Sequence, residues 1–288
     1  MLRKNFKFKV YKTDYWLPKV NYIDIIVKSI EKDAKDNDIL VISEKALSIA
    51  KGNLVNEEKL KASLLSKFLS HFWMRILWGY FFCRICHLKK ETILKLRSYP
   101  KDLGSKHKQL SLIYSGFLQA LRHGSEGGID VTNLPYSYAS LPLKDPLKEA
   151  LFIKSELIKR IKVNLEVMIV DTDMTYSFKN FHISPRKTYV KGIKGGGGFL
   201  TYLICRALKF KARATPIACT SKRIFGELAL ELAHLAHLAR GYGSGRDVWD
   251  MAKRFKVPLN KVSWKMLKSI DHYPIVLIRK NENFYPKY

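Results

Sequence analysis

Leu165-Glu166-Val167-Met168-Ile169-Val170-Asp171-Thr172-Asp173 is the stretch that decides the fold of this chain. A short apolar run closed by polar residues has the length and β-branched content of a buried strand. The strand is expected to stop at Asp171-Thr172-Asp173. A carboxylate leaving a buried strand is held rigidly at the mouth of a cleft, which suits a ligand for a divalent cation. Taken alone, such a triplet is more often a turn or a helix cap.

Upstream, Lys148–Val163 carries Leu151, Ile153, Leu157, Ile158 and Ile161 at helical spacing, and Asp38–Ser43 repeats the buried-strand pattern. Lys7–Val10 and Pro274–Arg279 read as further strands. Helices are expected over Asn21–Asp33, Lys59–Leu69 with the aromatic stretch after it, Glu91–Ser98 and Ile224–Ala239, the last capped by Gly241. Pro100–Lys108 reads as a loop, Gly124–Pro146 as loop-like, and Thr215–Ala218 as a break. Strands and helices mix without regular alternation or internal repeat. The class is therefore α+β, and residues 1–288 are expected to form one domain.

Of the 288 residues, 47% are hydrophobic and 27% charged, an ordinary globular composition that excludes global disorder. The charge balance is lopsided. Lys and Arg number 52 against 25 Asp and Glu, a net +27 spread along the whole length. Such a field attracts anions and by itself does not choose among nucleotides, phosphorylated cofactors, nucleic acid and an acidic membrane surface. A Lys-rich habit of the organism, as in a thermophile, gives the same count.

No apolar signal segment follows the basic N-terminus, so the expected compartment is the cytoplasm, where cysteines stay reduced. Cys83, Cys86 and His87 have haem-attachment spacing, but that chemistry requires export. A zinc site needs a second compact pair, which Cys205 and Cys219 do not make. Cys83 and Cys86 are expected to be small buried hydrophobes. Phe68–Leu88 is the one membrane candidate. His71, Arg75, Arg84 and His87 interrupt it, so it reads as an amphipathic element packed on protein rather than a span. Lys89, Lys90 and Arg97 beyond it leave a peripheral or partner-binding helix open.

In Ser125–Asn133, Gly127 and Gly128 let the backbone approach a ligand and turn its N–H groups towards phosphate. Asp130 and Asn133 supply oxygen ligands, and a plain turn is the equal alternative. Gly195–Gly198 suggests a phosphate loop but lacks both the P-loop ending and dinucleotide-binding spacing. His234 and His237 share a helix with Glu227 and Glu231, where core packing is the commoner role. Arg246–Trp249 and Lys253–Phe255 mix basic and aromatic residues that suit nucleic acid, with no recognisable motif around them.

Read in order, three segments resemble the coenzyme F420-0:L-glutamate ligases, also called F420 γ-glutamyl ligases. They are Asp38–Gly52 with Lys45 and Ser48, then Gly128–Asn133 followed by Leu141-Pro142 and Asp145-Pro146, then Val167–Thr172. The Ala/Leu-rich helix and Pro274–Arg279 are similar to the family's closing elements. The resemblance implies a GTP-dependent amide ligase that activates the terminal carboxylate of an anionic phosphorylated deazaflavin precursor as an acyl phosphate. The amine of L-glutamate then displaces phosphate. It further implies that Asp130 and Asp171 hold Mg²⁺ or Mn²⁺ with Thr172 beside them. Lys45 and Ser48 would contact anionic substrate or phosphate, and Asn133 would support the Asp130 loop. A homodimer belongs to the same expectation, and a monovalent cation is left open by it. The chain departs from the family pattern at Asp173–Phe178, at Ser125-Glu126, at Gly195–Gly198 and across residues 68–90, which read as divergent or inserted. A γ-glutamyl ligase for another carboxylate acceptor and a basic nucleic-acid-binding protein with a decayed site are the alternatives. Nucleic acid and a transmembrane segment are the less expected associations.

Overall fold

A computed structural model describes residues 5–281. Along the chain, β1 (Phe6–Thr13), α1 (Tyr22–Ile30), β2 (Ile39–Ser43), α2 (Glu44–Ala50) and β3 (Leu54–Asn56) come first. A helical stretch follows: α3 (Leu64–Phe68), a π-helix (Leu69–Phe82), α4 (Cys83–Ile85), α5 (Lys90–Arg97), α6 (Lys101–Tyr114) and α7 (Phe117–Ala120). After β4 (Tyr138–Ser140), α8 (Pro146–Ile161) leads into the long β5 (Glu166–Phe178), then β6 (Phe181–Ser184) and β7 (Lys194–Gly195). Next come α9 (Gly198–Ala207), β8 (Lys211–Cys219), α10 (Gly226–Arg240), α11 (Val248–Phe255), α12 (Trp264–Lys268) and β9 (His272–Lys280).

The architecture is α+β. One mixed sheet has the order β1-β9-β2-β5, with β8 also on β5 and β6 leading on to β7. β2 runs parallel to β5 from Ile39 opposite Glu166 to Ser43 opposite Val170, and β9 is antiparallel to both β1 and β2. Alternate residues serve opposite faces. Leu40, Ile42, Val167 and Ile169 pack with α1, α2 and α8, whereas Val41, Met168, Val170 and Val276 pack against α10. Both faces are covered, which is why these strands read as unbroken apolar runs. A separate apolar cluster joins the π-helix to Leu96, Tyr99, Leu121 and Phe199.

Strand pairing around β5 opens the site. β8 follows one edge of β5 from Met168 to Ser177; on the other edge β2 pairs with Glu166–Val170 and β6 only with Tyr176–Phe178. Asp171–Thr175 therefore lie in a gap between two partner strands. Thr172 and Asp173 are extra residues between the pairs Asp171–Thr215 and Met174–Ala214. A bulge of this kind bends the strand and re-aims its side chains.

Several sequence expectations change here. The strand does not end at Asp171; it bulges there and runs on to Phe178. Pro100–Lys108 is not a loop but the first half of α6, whose inward side carries Gly104, Ser105, Lys108 and Ser111 as well as Leu110. Polar residues on the buried side hid the helical pattern. Thr215–Ala218 lies inside β8, where Pro216 sits at a register shift, a position at which the missing N–H is tolerated. The aromatic segment is largely a π-helix, and among the described residues no helix is long and apolar enough to cross a membrane.

Ile42 is fully buried on the α2 side of the sheet. Ile42→Ala should cost about 2–5 kcal/mol, read as a lowered denaturation midpoint with an unchanged slope.

Candidate active site

A buried arginine organises the site. Arg186, two residues past β6, donates to Glu44 at the start of α2 (Nη1–Oε2 2.6 Å, Nη2–Oε1 3.0 Å) and to Asp171 in the β5 bulge. All three residues are buried. Burial, with the Asp171 charge adding to it, pushes the Glu44 carboxyl above its ordinary range against the pull of Arg186. Burial opposes the Arg186 charge too, yet Glu44 and then Asp171 hold its pKa above the ordinary value. Gly128 closes over the guanidinium with φ +94°, and a Cβ at that position would overlap it. Only glycine meets both requirements.

Asp130 sits on the neighbouring loop, tied to Ser140 by paired backbone hydrogen bonds of 3.1 and 2.8 Å. Its Oδ1 accepts from the Thr132 N–H at 2.7 Å, and its Oδ2 pairs with Lys45 Nζ at 2.6 Å. Lys45 also donates to the Thr132 carbonyl at 3.1 Å. Asp171 has the same arrangement: its Oδ1 accepts from the Thr172 N–H at 2.7 Å while its other oxygen faces Arg186. Each aspartate is thus fixed by one backbone donor and one cation. Asp173 differs. It is buried, its Oδ2 has no hydrogen-bond partner, and the Arg122 guanidinium lies 3.7 Å away. Burial and then the Asp171 charge push its carboxyl up to about 7.

Two cavities, of about 340 and 280 Å³, share a wall formed by Ser125, Asp130, Thr132, Thr172 and Arg246. The larger also reaches Asp171 and Asp173 and is bordered by the rings of Tyr99, Tyr136 and Trp249. The smaller is bordered by Lys45, Arg240 and the loop Gly241–Gly245. Arg240 is half-buried with its Nε enclosed and unpartnered, and desolvation brings its pKa down to about 10 against the attraction of Asp171.

Asp130, Asp171 and Thr172 therefore converge on one cavity, and Lys45 and Asn133 face the adjoining one. Asn133 accepts from the Ser244 N–H at 2.7 Å and from its hydroxyl, fastening the Asp130 loop to the glycine loop. Ser48 is not brought to the site. It is buried in α2, borders neither cavity, and its hydroxyl has no hydrogen-bond partner among the described residues. Gly195–Gly198 borders neither cavity either; Gly198 packs on the Leu118 backbone, so that loop serves close packing. His237 borders the smaller cavity as a buried ring against Tyr242, its pKa brought down to about 4 by burial and then by Arg240. Among the described residues no three His, Cys, Asp or Glu side chains are gathered closely enough to hold a metal by themselves.

Glu44, Arg186, Arg122 and Arg240 went unread in the sequence. The loop Gly241-Tyr242-Gly243-Ser244-Gly245-Arg246 carries a signal in its alternating glycines, of which the sequence reading takes only Gly241, as a helix cap, and Arg246, as part of a basic and aromatic stretch.

Acids gathered beside a cavity lined by Lys45, Arg240 and Arg246 suit an enzyme that handles anions. A family model described as F420-0:Gamma-glutamyl ligase matches residues 12–195, and the chain belongs to that family. Membership supports a glutamate-ligating enzyme of F420 biosynthesis. The chain is also 30% identical over 286 residues to a Methanocaldococcus jannaschii protein named "Uncharacterized protein MJ1361", covering 96% of this chain and 97% of that one.

The Asp173 carboxyl rises from 3.8 for ordinary aspartate to about 7 in the folded chain. A raised acid binds protons in the native state that the unfolded chain has released, so stability falls as pH rises through that window. Asp173→Asn should flatten the fall, measured by denaturant unfolding at a series of pH values.

Proposed function

We propose that the chain joins L-glutamate to the terminal carboxylate of a phosphorylated deazaflavin precursor at the expense of GTP, through an acyl phosphate. The observation that carries this reading is the shared wall: Asp130 and Thr172 border both cavities, so a phosphoryl donor in one and an acceptor in the other meet there. Lys45, Arg240, Arg246 and the backbone of Gly241–Gly245 suit the triphosphate in the smaller cavity. The flat rings of Tyr99, Tyr136 and Trp249 suit the deazaflavin in the larger.

In the first step a carboxylate oxygen of the acceptor attacks the γ-phosphorus and GDP leaves. In the second the neutral amine of glutamate attacks the acyl carbon, phosphate leaves and the amide forms with loss of a proton. Lys45, Arg240 and Arg246 offset phosphate charge. The Asp130 loop and the β5 bulge that carries Thr172 fix the in-line approach.

The donor set fits Mg²⁺ or Mn²⁺. Asp130, Asp171 and the Thr172 hydroxyl offer hard oxygens, and Asp173 keeps one oxygen without a hydrogen bond beside them. A hard cation held by one or two carboxylates completes its shell with substrate phosphate and water, which suits a site with too few clustered side chains to bind metal alone. Such a cation supplies charge neutralisation at the phosphates.

Sustained, multiple-turnover GDP release should require GTP, L-glutamate, precursor and divalent metal together. Asp130→Asn and Asp171→Asn should each lower it at least about 100-fold, whereas Ser48→Ala should leave it nearly unchanged. Release beyond one equivalent per site that proceeds without glutamate, or any release with both aspartates replaced, would sink the proposal. Release that appears only with a different carboxylate acceptor would move the activity to that substrate.

A further inference from the structure

The helical segment from Leu64 to Ile85 has a face that the ligase site does not use. Its inward side is closed: Leu69, Met74, Trp78 and Cys83 are buried, and the Trp73 and Trp78 indoles both donate to the Leu121 carbonyl at 2.7 and 2.8 Å. Its outward side carries an apolar stripe as well, with Lys67, His71 and Arg84 exposed beside it. Leu64 is 86% exposed, Phe68 49%, Phe72 44%, Ile76 40%, Phe81 60% and Ile85 46%. Steps of four and five residues suit the wide turn of the π-helix, whose i→i+5 bonds keep such positions on one side. Phe68 and Phe72 stack within this stripe, with centroids 5.4 Å apart.

Charge selects what covers the stripe. From Lys61 to Lys90 there is no Asp or Glu, while Lys61, Lys67, Arg84, Lys89 and Lys90 are exposed. Two copies meeting through this face would bring like charges together on chains that each carry +27. An anionic lipid surface offers the opposite pairing, an acyl boundary for the aromatic stripe and negative headgroups for its basic rim. Among the described residues no helix is long and apolar enough to cross the bilayer, so the contact is interfacial.

We propose that the segment Leu64–Ile85 docks the chain on an anionic membrane surface, with the apolar stripe seated at the headgroup boundary and Lys67, Arg84, Lys89 and Lys90 against lipid phosphates. Co-sedimentation of the full chain with phosphatidylcholine vesicles, with and without phosphatidylglycerol, tests it. Binding should need phosphatidylglycerol and weaken with salt. The triple variant Phe68→Ser, Phe72→Ser, Phe81→Ser retains every charge and should bind at least about tenfold more weakly. The variant Lys67→Gln, Arg84→Gln, Lys89→Gln, Lys90→Gln should lose affinity to a similar degree and respond less to salt. All seven positions are exposed, and circular dichroism checks that the variants fold. Equal binding by the triple variant and the parent would reduce the effect to bulk charge and overturn the proposal. So would binding to phosphatidylcholine alone that matches the mixture, or no binding at all. A solution dimer that the phenylalanine substitutions dissociate would assign the face to a second copy and overturn it as well.

Discussion

One buried cation, Arg186, sets the geometry on which the rest depends. Burying Glu44 and Asp171 as charged groups would cost several kcal/mol each without it. With it, the start of α2, the β5 bulge and the loop after β6 are held at one point, and Gly128 brings in a fourth segment. Lys45 follows Glu44 on the same helical turn, so anchoring Glu44 also aims Lys45 at Asp130. Glu44 further accepts from the Leu143 N–H at 3.1 Å, which ties in the chain beyond the Asp130 loop.

A second buried ion network supports the other end of the site. Lys108 Nζ reaches Glu126 at 2.7 Å and the Arg122 carbonyl at 2.5 Å, and His107 lies 3.4 Å from the other Glu126 oxygen. Burial alone would raise the Glu126 carboxyl, but Lys108 and His107 hold it well below its ordinary range. For His107 burial works against the charge, yet Glu57 and Glu126 bring its pKa up to about 10. The residue pair Ser125-Glu126 thus anchors the glycine turn that covers Arg186. Asp130 at the shared wall and Asp171 beside it are held by groups that lie outside the cavities' common boundary.

Some of this was legible in the sequence, and the reason is locality. Apolar runs such as Val167–Val170 and Ile39–Ile42 announce themselves, Asp171 directly follows one of them, and Asp130 stands in a short glycine-containing segment with recognisable neighbours. Arg186 has no such neighbourhood. Its partners are 142 and 15 residues away, and nothing around Pro185-Arg186 marks it as an ion-pair centre. Arg240 looked like the tail of a helix, because the cavity that gives it meaning is assembled from α2, the Asp130 loop and the chain before β9. Ser48 erred in the opposite direction: one helical turn past Lys45, its position on α2 turns it into the core. In α6, Ser105, Lys108 and Ser111 occupy buried positions, so a pattern based on hydrophobicity alone reads through the helix without seeing it.

The position of β9 between β1 and β2 bears on how the molecule is made. The sheet is laid down from the N-terminal side, yet the strand joining β1 to the rest is His272–Lys280, paired with Phe6–Thr13 on one side and Ile39–Ile42 on the other. Until that strand is synthesised, β1 has no partner in the sheet and the edge of β2 stands open. Contacts across so long a separation are slow to form, and open strand edges invite pairing with other chains. Until β9 is in place the apolar sheet is left with open edges, and the like charge of the basic chain opposes their pairing with other copies.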